Sequence, residues 1–212
     1  MIETLFSLQQ VGVGLATVGF GGEGVERFFT RLLRDGFALS ASGVYRPFGE
    51  VADGALAALA PDLDAAARRQ VLDAFGRLDV QPDARPCLER LAGGALPLVA
   101  LTNGSGTITT SLLERAELAE FFTEVISIDE VGTWKPAAAP YLHAAKILGV
   151  EPGQLGFVAV HAWDVHGAHH AGLVTGWASR HEGSFPGVFA APHVSGADLV
   201  EVAEGLLALS PR

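Results

Sequence analysis

Four short apolar runs that alternate with helical patterns constrain this chain more than any other feature. They are 96–101 (LPLVAL), 125–128 (VISI), 155–160 (LGFVAV) and 173–177 (LVTGW). Between them lie 108–119, 137–148 and 164–171, each with helical spacing or good helix formers, and Gly149 stands where a helix C-cap glycine belongs. Strands alternating with helices of this length specify βαβ units and a parallel sheet buried on both faces. The residues before them read differently. Val25, Phe28, Phe29, Leu32, Leu33 and Phe37 follow the i, i+3, i+4, i+7 rule of an amphipathic helix. Segments 51–59 and 64–78 read as helical too, with Pro61 and Asp62 punctuating between them. The expectation is an α/β fold with an all-helical insert.

Composition sets the limits of function. At 212 residues and 49% hydrophobic, the chain is long enough for one α/β domain with an insert. Its 14 basic residues against 24 acidic ones give a net charge of −10 with the signs dispersed. That argues against a nucleic-acid or anionic-membrane partner. The single cysteine, Cys87, forms no internal disulfide, so a reducing cytoplasm is the expected setting. Residues 4–22 are uncharged, but Gln9, Gln10 and five glycines interrupt them and no Lys or Arg precedes them. They read as neither a membrane span nor a signal peptide.

In open parallel sheets, ligands bind outside the carboxyl ends of the strands. After LPLVAL comes Thr102-Asn103-Gly104-Ser105; after VISI come Asp129, Glu130 and then Lys135-Pro136; after LGFVAV come His161, Trp163 and Asp164. Helix capping by Thr102, Ser105 and Asp164 accounts for each residue taken singly. The joint order delivers a hydroxyl, an amide, a lysine and a carboxylate to one rim.

The order T-N-G-S, K-P with Tyr141 beyond it, and then W-D-V-H-G-A-x-x-A-G over 163–172 resembles the haloacid dehalogenase superfamily. Within it the likeness is to the type II 2-haloacid dehalogenases. The resemblance implies a Rossmann-like core formed by 1–12 and 80–212, with a helical cap inserted at 13–79. It implies a cofactor-free hydrolase that expels halide from a small 2-substituted carboxylic acid through an aspartyl ester. Thr102 and Asn103 fall where the family binds the substrate carboxylate. Lys135 falls where a lysine neutralises charge around the nucleophile. Asp164 falls where a carboxylate orients that lysine and helps activate water. Thr4 would hydrogen-bond the nucleophile, Tyr141 would support the pocket, and a homodimer through the cap fits the family.

The opening Glu3-Thr4-Leu5-Phe6-Ser7-Leu8 resembles the segment just after the family's nucleophilic aspartate, whose position is immediately ahead of Met1. The expectation is either an N-terminally truncated enzyme, its start lying upstream, or a catalytically inactive relative that binds a small carboxylate or a protein partner. Two further departures fall in the halide site: the family's arginine corresponds to Phe29, and its asparagine to His161. Metal-dependent phosphatase chemistry is disfavoured, because Ile2 stands where that branch carries its second aspartate. The rim lacks the hard oxygen ligands that Mg²⁺ needs, so no metal is assigned. His161, His166, His169 and His170 invite a metal reading, His166 and His170 sharing a helix face, but matching carboxylate or Cys ligands are missing nearby. Trp134, Trp163 and Phe28 read as packing at the core–cap junction, and Cys87 as a small core residue.

Overall fold

The computed structural model describes residues 1–94 and 96–209. A two-residue strand β1 (Phe6–Ser7) pairs antiparallel with β2 (Asp79–Val80), Phe6 opposite Val80. The helical segment leaves and returns through this narrow neck. It comprises α1 (Gln9–Thr17), α2 (Gly24–Ala41), α3 (Phe48–Leu59), α4 (Ala65–Leu72) and a 3₁₀ turn at Asp73–Arg77. Helix α2 buries Phe28, Phe29 and Leu32, as its apolar spacing requires. Asp64 caps α4 by accepting from the Ala67 amide at 2.8 Å.

The remaining chain builds α5 (Ala84–Ala92), β3 (Val99–Thr102), α6 (Gly106–Arg115), β4 (Glu124–Ser127) and α7 (Ala138–Leu148). It continues through β5 (Gly156–Ala159), α8 (Ala162–His170), β6 (Val174–Ala178), β7 (Val194–Gly196) and α9 (Leu199–Leu207). Strand β3 runs parallel to β4, with Thr102 opposite Ser127; β5, β6 and β7 form a second parallel sheet. The expected α/β architecture with parallel strands is what the chain forms. Ser105 caps α6, and α7 ends at Gly149, whose φ of 67° and ψ of 31° is the left-handed turn that glycine takes without steric penalty.

Two differences from the expected strands have simple causes. The 96–101 run becomes strand only from Val99, because Pro97 lacks the amide a ladder needs. Strand β7 is too short and too polar at Ser195 to signal itself in the sequence.

The helical segment docks on the core through Trp134, which is fully buried. Its ring stacks on Phe48 at 5.8 Å, its Nε1 donates to the Arg46 carbonyl, and its backbone amide donates to Ser40. The residue next to Lys135 is thereby fixed by the cap. Among the described residues, no helix is long and apolar enough to cross a membrane.

Cys87 is buried in α5, and burial pushes its thiol up to about 12, with Asp83 and Asp198 adding to the effect. Native protein at pH 8 should therefore alkylate roughly 100-fold or more slowly than the same chain in urea. Equal rates would contradict the packing of α5.

Candidate active site

Lys135, Asp164 and Tyr141 come from the loop after β4, the first turn of α8, and α7. All three are buried. The Lys135 ammonium donates to Asp164 Oδ2 at 2.6 Å, and the Tyr141 hydroxyl donates to Asp164 Oδ1 at 2.6 Å. Both carboxylate oxygens thus hold a donor, which a charge withdrawn from water requires. Burial and the neighbouring Asp164 charge hold the Tyr141 phenol well above its usual range, so it stays a donor. The lysine also faces the Leu101 carbonyl at 3.5 Å and the Phe157 ring at 5.5 Å.

Asn103 clamps this lysine through its backbone. Its Oδ1 accepts from the Lys135 amide at 3.0 Å, and its Nδ2 donates to the Lys135 carbonyl at 3.4 Å. Thr102 is buried and accepts from the Gly104 amide at 2.9 Å. Ser127 then ties the same loop to β4 by donating to the Gly104 carbonyl. The loop after β3 and the loop after β4 are therefore one hydrogen-bonded unit with the lysine at its centre. Capping explains Ser105; it does not explain Asp164, whose carboxylate faces the lysine.

A cavity of about 150 Å³ lies between β3 and β5, which belong to separate sheets. Leu101 and Phe157 contribute to its apolar walls, and Met1, Thr4, Lys135 and Asp164 also line it. Met1 therefore shares one cavity with the lysine–aspartate pair.

Phe29 and His161 also come together, their rings 6.3 Å apart. His161 stacks on Trp163 at 5.5 Å, and Trp163 meets Phe37 of α2 at 4.9 Å. The His161 Nε2 lies 2.7 Å from a carboxylate oxygen of Glu3, and the His181 Nε2 lies 3.4 Å from the same oxygen. Sequence reasoning missed Glu3 and His181. Glu3 stands in the opening segment but at a position given no role, His181 stands in no motif, and no spacing links residue 3 to 181. His166 is held differently, accepting at Nδ1 from the Ala190 amide.

Close approach of α8 to the Lys135-Pro136 loop depends on Gly167. A Cβ there would sit 2.6 Å from Pro136 Cβ, 2.7 Å from its carbonyl oxygen and 2.8 Å from the Tyr141 hydroxyl. Gly167→Ala should therefore displace the tyrosine and lower unfolding stability by about 1–3 kcal/mol in urea titration. A variant as stable as the parent would contradict this packing.

The chain matches the haloacid dehalogenase-like hydrolase family over residues 18–172. It is 40% identical over 110 residues to (S)-2-haloacid dehalogenase 2 of Pseudomonas sp. (strain CBS-3), covering 51% of this chain and 48% of that one. It is 30% identical over 139 residues to (S)-2-haloacid dehalogenase H-109 of Pseudomonas putida, covering 66% and 62%. The aligned chain thus spans about half, or somewhat more, of the length of these curated relatives. The crystal structure of the L-2-haloacid dehalogenase RSc1362 superposes with a TM-score of 0.90 at 27% identity, over 98% of this chain and 96% of that one. The L-2-haloacid dehalogenase of Xanthobacter autotrophicus shares the fold at 24% identity, with a TM-score of 0.86 over 98% and 96% of the two chains. Together with the site's geometry, these matches place the chain in the haloacid dehalogenase-like hydrolase family.

Proposed function

We propose that this protein serves hydrolytic dehalogenation of a small 2-haloacid through an aspartyl ester. The observation that carries the reading is the buried Lys135–Asp164 pair, held by Tyr141 and lining the same cavity as Met1. A residue joined to the Met1 nitrogen would be held beside that pair. An aspartate there, ending a strand laid between β3 and β5, would attack C2 of the substrate. The C2–halogen bond breaks as the new C–O bond forms, and halide leaves with the electron pair. Water then adds to the ester carbonyl, its proton passes to a base, and the 2-hydroxyacid departs as the carboxylate is restored.

The chain's own residues divide this work. Lys135 offsets the negative charge of nucleophile and substrate, and Asp164 fixes the lysine and helps activate the water. Tyr141 holds Asp164 in place. Thr102 and the loop that Asn103 braces would receive the substrate carboxylate, and Thr4 would hydrogen-bond the nucleophile. Phe29 and His161 line the halogen side. No cofactor enters the scheme. The net charge of −10 and the buried Cys87 support a cytoplasmic protein without nucleic-acid partners, and a homodimer through the cap accompanies the family reading.

A second reading is favoured by one observation. Phe29 presents an apolar ring where the resemblance places an arginine, and its neighbour His161 is engaged by Glu3. Such a pocket fits a relative that holds a small carboxylate without turning it over.

The coding sequence in frame ahead of Met1 separates the two. An aspartate codon directly before Met1, preceded by an apolar run, supports the enzyme; a stop codon there supports the binder. A chain carrying that aspartate should release halide from a short 2-haloacid, and Asp164→Ala should reduce the rate roughly 100-fold or more. Equal halide release after Asp164→Ala would overturn the role given to the pair.

A further inference from the structure

Beside the lysine–aspartate pair, Glu3, His161 and His181 converge from three separate segments. Their ligand atoms all lie within 4.8 Å of one another, one carboxylate oxygen and two imidazole nitrogens. We propose that these three side chains bind a divalent d-block cation, Zn²⁺ in the first instance, with a fourth position left for water or a small anion. The inference does not depend on the proposed reaction.

The geometry agrees with a three-ligand tetrahedral site. Bonds of about 2.1 Å at tetrahedral angles place ligand atoms about 3.4 Å apart. The His181 Nε2 is 3.4 Å from Glu3 Oε2, and the His161 Nε2 is 2.7 Å from it, a hydrogen-bond length that opens by under 1 Å on metal entry. Two imidazoles bound to one ion through Nε2 would have ring centroids about 5 Å apart. The rings of His161 and His181 are 5.1 Å apart and nearly perpendicular, at 80°.

A carboxylate oxygen can accept from two donors, so the shared oxygen is not what marks the site; the spacing of the three ligand atoms is. Two imidazole nitrogens and one carboxylate oxygen are a donor set that d-block cations accept.

The backbone is also held for the purpose. Glu3 is a non-glycine residue at φ 61°, a conformation that must be enforced by its surroundings. Its amide donates to the Phe6 carbonyl at 2.6 Å, and its own carbonyl accepts from Arg180 at 3.1 Å and Gln81 at 3.3 Å. Arg180 precedes His181 and is itself fixed by Asp83 at 2.7 Å. One anchor thus sets both the carboxylate and the second histidine. Two nitrogens and one oxygen suit Zn²⁺, Co²⁺ or Ni²⁺ rather than Mg²⁺. The expectation of no metal rested on the oxygen ligands missing around Asp164 and on the lack of carboxylates near His161 in the sequence; Glu3, far from it along the chain, supplies one.

The test is to strip the purified protein with chelator and titrate it with Co²⁺, recording visible absorption, and with Zn²⁺ by calorimetry. One equivalent of Co²⁺ should give the d–d bands of a low-coordinate site, and Zn²⁺ should displace it. Glu3→Gln and His181→Ala should each weaken binding roughly 100-fold or more, since losing a ligand costs at least what losing a ligand's support costs. A His166→Ala/His170→Ala control should bind as the parent does. Far-UV circular dichroism and melting curves confirm that each variant is folded; Glu3→Gln keeps the side chain's shape if His181→Ala does not fold. The proposal fails if no saturable one-to-one cobalt signal develops. It also fails if Glu3→Gln binds like the parent, or if only the His166/His170 control loses the ion.

Discussion

The structure turns on one buried ion pair, Lys135 with Asp164. Two opposite charges 2.6 Å apart in an apolar interior are tolerable only if nearly every donor and acceptor is met. Tyr141 meets the second carboxylate oxygen, and Asn103 grips the lysine's peptide from both sides. Removing one partner of such a pair costs about 3–5 kcal/mol, because the other charge is left buried alone. Each of the surrounding features follows from that demand: a glycine at 167 so that α8 can approach, and a tryptophan at 134 that fixes the loop to the cap. The pair thereby becomes a fixed positive and negative site facing a cavity, which charge-separating chemistry can use.

Much of this was legible in the sequence. The apolar runs at 125–128, 155–160 and 173–177 are strands to within a residue or two at each end, because buried parallel strands need uninterrupted apolar side chains. Lys135, Asp164 and Tyr141 were legible as a set because each follows a strand or stands in a motif of the resembled family. Asn103 read as a substrate-carboxylate residue, and its side chain braces Lys135; whether an amide faces a ligand or a neighbouring peptide depends on loop packing, which no local pattern encodes. Strands β1, β2 and β7 are two or three residues long and carry too little periodicity to register.

Glu3 and His181 were invisible for a different reason. Their partnership is created by the return of the chain after β6, where Arg180 ties its own segment to the backbone at residues 3 and 4. His161 read as an altered halide-site residue on sequence grounds, and its ring lies 6.3 Å from that of Phe29. Its engagement by a carboxylate gives the substitution a physical consequence: imidazole and carboxylate groups meet where the resemblance places an asparagine. The two departures from the family pattern, Phe29 and His161, therefore meet in space.

The central claim is that the lysine–aspartate pair serves an ester formed on the protein. The most direct measurement is a single turnover of a 2-haloacid in H₂¹⁸O, with protein in excess, on a chain carrying an aspartate directly ahead of Met1. The account predicts unlabelled 2-hydroxyacid and ¹⁸O in that aspartate, because water attacks the ester carbonyl after the carboxylate oxygen has passed to the product. Label in the product hydroxyl, with none in the protein, would contradict it.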